Sequence, residues 1–125
     1  MQIDLPNYLS VLALIPAAAV SADGNGTPFD LSGYKGKLLL RADVANATAG
    51  SNTTLDLVIK ESEDNSNWSN ANVAFTQVTN GNAEVLAYDT RAHYRYMRVD
   101  KDIGGTNSSF PVSVVGFAQK AYNPL

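Results

Sequence analysis

The chain has 125 residues, is 45% hydrophobic and 17% charged, and carries a net charge of −3 with no cysteine. That length buries a core in one domain without staples, and the missing thiols exclude disulfides, thiolate nucleophiles and Cys-ligated zinc together. The Lys and Arg residues are scattered apart from Arg91, Arg95, Arg98 and Lys101, which argues against direct nucleic-acid binding, since that wants a basic patch.

The N-terminal segment opens on Leu5-Pro6-Asn7, a turn or extended start. The apolar run 9–20 contains Pro16 and falls short of the roughly 20 residues a membrane span needs. Asp4 precedes it, without Lys or Arg, so the basic n-region of a signal peptide is missing and the run is read as mature protein. Leu9, Leu12 and Ile15 suit a helix, whereas Val11, Ala13 and Ile15 suit a strand, and the run is too short for periodicity to choose. Residues 1–16 are treated as an apolar N-terminal arm that needs a partner surface, and residues 17–125 as the domain.

Residues 17–21 read as a strand, closed by the turn signal Asp23-Gly24-Asn25-Gly26. Phe29-Asp30-Leu31 leads into a second turn at Ser32-Gly33-Tyr34-Lys35-Gly36. The strand 37–44 contains Leu38, Leu39 and Leu40 in succession, which implies burial on both faces or one face turned to a partner. A loop of small residues over 45–54 follows. Leu55, Leu57 and Ile59 then alternate with Asp56, Val58 and Lys60, the period of a strand, expected to pair with 37–44. Ser62 to Asn67 is a polar turn, and Trp68 after it is expected to plug the core.

Residues 73–78 around Phe75 read as a strand that turns at Asn80-Gly81-Asn82 and returns along 83–88. Asp89-Thr90-Arg91-Ala92 reads as one helical turn capped by Asp89 or Thr90. In 94–101, Arg95, Met97 and Val99 alternate with Tyr94, Tyr96 and Arg98; Gly104-Gly105-Thr106-Asn107 is the next turn, and 110–120 the last strand. About eight short strands at this spacing, with no convincing long helix, predict an all-β fold: one antiparallel, jelly-roll-like β-sandwich.

Reactive constellations are sparse. His93 is the single histidine, beside aromatics and without a Gly-x-Ser-x-Gly elbow. Glu61 and Glu63 lie about 7 Å apart by strand rise, which admits a glycan-cleaving acid pair, although solvated acids are expected at such a junction. The turns at Asp23 and Asp64 offer oxygen ligands but do not match a calcium loop with its distal Glu. Arg95 and Arg98 suit either a phosphate or sugar, or stacking on aromatics and pairing with acids such as Asp100 or Asp102. Asn-x-Ser/Thr sequons at Asn25, Asn46, Asn52, Asn67 and Asn107 are read as chance in a chain this rich in Asn, Ser and Thr. No catalytic residue, metal ligand or cofactor is assigned.

The segment Val20-Ser21-Ala22-Asp23-Gly24-Asn25-Gly26-Thr27, followed by Asp30-Leu31-Ser32-Gly33-Tyr34, resembles the opening of small structural proteins of tailed bacteriophages. The likeness continues through Ala47-Thr48-Ala49-Gly50, Thr54-Leu55-Asp56-Leu57 and Ser62-Glu63-Asp64-Asn65 with Trp68. Arg95-Tyr96-Met97-Arg98-Val99, Gly104-Gly105-Thr106 and Phe110 to Gly116 complete it, over about 17–120. The resemblance implies a capsid decoration (cement) protein: non-enzymatic, all-β, and homo-oligomeric, with a trimer favoured over a dimer. It would bind the major capsid protein lattice on the outer surface of the virion after synthesis in the bacterial cytoplasm, with no nucleic acid or membrane as partner. On this reading the interface residues are Leu5, Tyr8, Leu9, Leu12 and Ile15 in the arm and Tyr122 and Leu125 in the tail; the competing reading packs the arm on its own sheet. The alternatives are a carbohydrate-binding sandwich stacking sugars on Tyr34, Trp68, Tyr94 and Tyr96, and a phage neck or tail component.

Overall fold

The computed structural model describes residues 9–120. They form strands β1 (Leu9–Val20), β2 (Phe29–Asp30), β3 (Tyr34–Val44), β4 (Ala49–Ser62), β5 (Ser69–Asn70), β6 (Asn82–Asp89) and β7 (Tyr96–Lys120), with 3₁₀ turns at Leu31–Gly33 and Thr90–Ala92. The 25-residue β7 organises the domain. Its first part, 96–109, pairs with β4 and β2; its second part, 110–120, lies between β1 and β3. All pairings are antiparallel, in the order β5-β4-β7-β3-β6 with β1 and β2 also on β7, and the sheet curls into a half-barrel around one core.

Period-two alternation explains the two faces. Met97, Val99, Phe110, Val112, Val114 and Ala118 of β7 point inward, opposite Leu55, Leu57 and Ile59 of β4 and Leu38, Leu40, Ala42 and Val44 of β3. Each large apolar side chain so buried contributes about 1.5–3 kcal/mol.

The curl has a local cause. Gly105 (φ 89°) and Asn107 (φ 52°) on β7 lie near Gly50 (φ 107°) and Asn52 (φ 52°) on β4. The register slips between Ala49 and Ser51 and again between Ser51 and Thr54, so both strands turn the corner together. The Ser108 hydroxyl donates to the Gly104 carbonyl at 2.6 Å across the bend. The sequence predicts a turn at 104–107 and a loop over 45–54; the structure instead carries one ladder through both, leaving only 45–48 as loop.

Other expectations are corrected. Residues 55–61 pair with β7, not with β3, because β3 already has β7 on one edge and β6 on the other. Residues 73–78 form no strand: the segment makes a single bridge, Val78 to Leu55, and drops Phe75 and Val78 into the core as plugs. The return 83–88 therefore pairs with β3, and Asn80-Gly81 closes a loop rather than a hairpin, with the Gly81 N–H bound to the Asn46 side-chain oxygen. The described residues form seven strands, in keeping with the about eight expected. Trp68 is only partly buried and is not a core plug.

The capped turn at Asp89 is present, with its carboxylate accepting from the Arg91 N–H at 3.0 Å, and Asp30 caps 31–33 in the same way. The ambiguous apolar run is a strand throughout. Residues 9–16 and 17–20 belong to the same β1, whose register slips on both sides of Ile15, next to Pro16. Residues 1–8 and 121–125 lie outside the described part of the chain.

Candidate interaction surface

The three consecutive leucines of β3 show where function is to be sought. Leu38 and Leu40 are fully buried, while Leu39 between them is 52% exposed on the convex side of the sheet. The register places it in a row that crosses four strands: Val11 opposite Phe117, Phe117 opposite Leu39, Leu39 opposite Ala87. The next row is Ala13, Val115, Arg41 and Val85, and Leu9 extends the face along β1. Five of the six exposed large hydrophobics, Leu9, Val11, Leu39, Val85 and Phe117, lie on this one face. Scattered apolar residues on a surface need no explanation, but a contiguous patch marks an interaction site.

Two acids on the face are ion-paired within the chain, Asp43 with Arg41 and Asp89 with Arg91. Arg41 forms a two-point ion pair with Asp43, at 2.9 and 3.0 Å, and Lys37 stands across the strands from Asp89. Toward the other end, the same face opens into an apolar depression of about 700 Å³ lined by Ala17, Ala45, Ala83 and Pro111 among others.

Leu9 thus lies on the exposed face, whereas Leu12 and Ile15 are buried in the chain's own core at 4% and 3% exposure. Leu5, Tyr8, Tyr122 and Leu125 fall outside the described residues. The helical spacing 9, 12, 15 grouped residues that a strand separates; strand spacing groups Leu9, Val11 and Ala13 instead. Val11, Val85 and Phe117 are the residues sequence reasoning missed, and Leu39 it left between burial and a partner-facing position, because an alternating strand does not reveal which of two apolar faces is covered.

Several titratable residues are tied up in structural contacts. Glu61 turns to His93, with His93 Nδ1 2.6 Å from Glu61 Oε2 and the imidazole stacked on Tyr88 at 4.0 Å between ring centroids. The His93 side chain is 4% exposed, and the Tyr88 hydroxyl is buried with no hydrogen-bond partner. Burial, and then the charge of Glu61, push the Tyr88 phenol well above its ordinary range. This cluster fastens the β6–β7 connection to the end of β4. Glu61→Ala is expected to cost about 1.5–3 kcal/mol, as for a hydrogen bond to a charged group. In a urea double-mutant cycle, adding His93→Ala should then cost less than it does alone; strict additivity would show that the pair is not coupled.

Glu63 is exposed and lines a separate shallow depression of about 290 Å³ with Asp64, Asn67, Trp68, Ser69 and Tyr94. Arg98 lies over the Trp68 ring at 4.3 Å with its Nε 2.9 Å from Asp100, though not aimed for a hydrogen bond. Arg95 grips Asp30 through two contacts at 2.7 and 3.0 Å beside the Tyr96 ring. The stacking and pairing expected of both arginines is therefore present, with Asp30 rather than a near neighbour as the partner of Arg95. Asp64 accepts from the backbone N–H groups of Ser66 and Asn67 and from both the Asn67 amide and the Ser62 hydroxyl. Asp23 accepts from the Ile103 N–H at 2.7 Å. Among the described residues, no group of three or more His, Cys, Asp or Glu is arranged to hold a metal ion.

These contacts predict an acid limb of unfolding. Hydrogen bonds from Arg95 and then Ser32 hold the Asp30 carboxyl well below the usual range; backbone N–H groups of Asn67 and Ser66 do the same for Asp64. The stability each contributes is complete above the unfolded Asp value of about 3.9 and is lost as pH falls below it toward the folded value. Urea midpoints should therefore drop through this acid range, and the double variant Asp30→Asn/Asp64→Asn should flatten the drop; an unchanged acid slope would refute the assignment.

The fold is that of an all-β domain with one open apolar sheet face. The sequence matches no family model and no curated relative. The fold is similar to the crystal structure of the SPBc2 prophage-derived protein YomS, with a TM-score of 0.51 over 90% of this chain and 93% of that one, at 13% sequence identity. No helix among the described residues is long and apolar enough to cross a membrane.

Proposed function

We propose that this chain is a non-enzymatic structural protein of a tailed-phage virion, a capsid decoration protein that binds over the major capsid protein lattice and stabilises the shell. The observation that carries the reading is the contiguous apolar face of β1, β7, β3 and β6, which a chain working alone has no reason to keep in water. Glu61, His93, Asp30, Arg95 and Asp64 serve folding contacts, in keeping with a protein that acts by burying surface. Similarity of fold to a prophage-derived protein supports a phage setting. Modest contacts repeated over many symmetric copies add up to tight attachment on a closed shell.

Electron microscopy of virions labelled with an antibody to this chain tests the reading. Label over the whole head is expected. Label confined to one vertex would move the protein to the neck or tail, and unlabelled virions would overturn a virion role.

A second reading rests on the depression at Trp68. The structure brings Trp68 and Tyr94 together there with Glu63 and Ser69, a combination of aromatic surface and polar groups that suits a sugar ring. Tyr34 and Tyr96 do not line it. Binding to an immobilised glycan panel that Trp68→Ala abolishes would favour a carbohydrate-binding module; absence of binding would remove it.

A further inference from the structure

We propose that the depression beside Trp68 takes a cationic sugar, a hexosamine with a free ammonium group, in preference to a neutral one. The inference rests on the carbohydrate reading of that depression and adds the charge of its ligand.

The lining selects the charge. Trp68 and Tyr94 bring two aromatic rings, and Glu63 a carboxylate, to one depression of about 290 Å³. The face of such a ring is negative in its quadrupole, so it attracts an ammonium group as well as accepting the apolar face of a pyranose. The volume falls below the usual range for drug-sized ligands, which restricts the occupant to a single ring.

Glu63 is the distinguishing group. It is exposed and makes no hydrogen bond or ion pair among the described residues. Asp64 beside it is committed: its carboxylate accepts from the Ser62 hydroxyl, the Ser66 and Asn67 N–H groups and the Asn67 amide. It keeps its charge but has its lone pairs occupied, so it fixes the turn before Trp68 and leaves the ligand contact to Glu63. No Lys, Arg or His lines the depression. The bases of the neighbouring segments are held elsewhere: His93 by Glu61, Arg95 by Asp30 and Arg98 by Asp100. Arg98 lies over the Trp68 ring, but its partner Asp100 balances it. Lys60 lines a separate depression with Asp23 and Asp102. The site thus presents two carboxylates and no cation. A neutral sugar leaves that charge unmatched, whereas an ammonium group meets it.

The site is also held in place before a ligand arrives. Glu61, at the end of β4, pairs in the ladder with Ser69, the residue after Trp68. Its carboxylate holds His93, the residue before Tyr94. One residue therefore anchors the neighbours of both aromatic rings, which lowers the ordering cost of binding.

Trp68 is the single tryptophan, so its fluorescence reports on the site directly. Titrating the full chain with glucosamine and with N-acetylglucosamine, at low ionic strength and a pH that keeps the free amine protonated, tests the inference. Glucosamine is expected to bind about three- to fivefold more tightly, the gain from an exposed ion pair and a cation–π contact. Added salt should erode the preference. Glu63→Gln should remove most of it while leaving N-acetylglucosamine affinity and the circular dichroism spectrum unchanged. Equal affinity for the two sugars overturns the inference and leaves the carbohydrate reading standing, as does a glucosamine preference that survives Glu63→Gln. Absence of binding by either sugar overturns both.

Discussion

Phe110→Ala is expected to lower the free energy of unfolding by about 3–5 kcal/mol, the range for truncating a buried aromatic. Phe110 is fully buried at the point where β7 passes from its β4 neighbour to its β1 and β3 neighbours, and it stands directly across from Val20. The atoms lost are those that join the two halves of the core, and the backbone around them is held by ladders on both sides, so little collapse can fill the space. For a domain stable by about 5–15 kcal/mol this is a large share, worth a fall in melting temperature of roughly 10–20 °C. Thermal and urea unfolding would measure it. A loss under about 1 kcal/mol would mean that the two halves of the half-barrel do not share one core. Phe117→Ala, on the exposed face of the same strand, should leave folding nearly unchanged.

Gly105→Ala is the second large effect. At Gly105 the backbone φ is 89°, and an added Cβ would stand 2.5 Å from the carbonyl oxygens of both Asn52 and Ser51. Those oxygens belong to the β4 corner that faces the bend in β7, so relief requires the two strands to part. Backbone strain alone costs about 1–3 kcal/mol, and the clash adds to it. Reduced stability should be accompanied by faster amide exchange confined at first to 49–54 and 104–109. Gly33→Ala is the control: nothing lies within 4 Å of its added Cβ, its φ is not positive, and the change should be neutral or slightly stabilising. Wild-type stability in Gly105→Ala would show that the corner does not depend on that conformation.

Much of the fold was legible because strands write their period into the chain. The alternation in 37–44, 55–61 and 110–120 marks strands, and their inward residues are the observed core. The cap at Asp89 was legible because its carboxylate needs only the next turn of backbone. Pairing was not legible. Residues 55–61 fit β3 and β7 equally well by pattern, and only the occupation of both β3 edges decided between them. Trp68 was misplaced because a large apolar ring is satisfied as well by a guanidinium above it as by a core.

The Leu38-Leu39-Leu40 triplet divides the two kinds of information most clearly. By itself, the sequence determined an all-β, cysteine-free, mildly acidic domain in which this strand is apolar on both faces. Only the tertiary structure decided that Leu38 and Leu40 enter the core, that Leu39 joins Val11 and Phe117 in an uncovered row, and that Gly104 to Asn107 is a bend and not the end of a strand. The physical reason is range: alternation, caps and turns are local interactions that neighbouring residues settle, whereas the facing of a sheet and the partners of its edges depend on contacts between residues far apart in the chain.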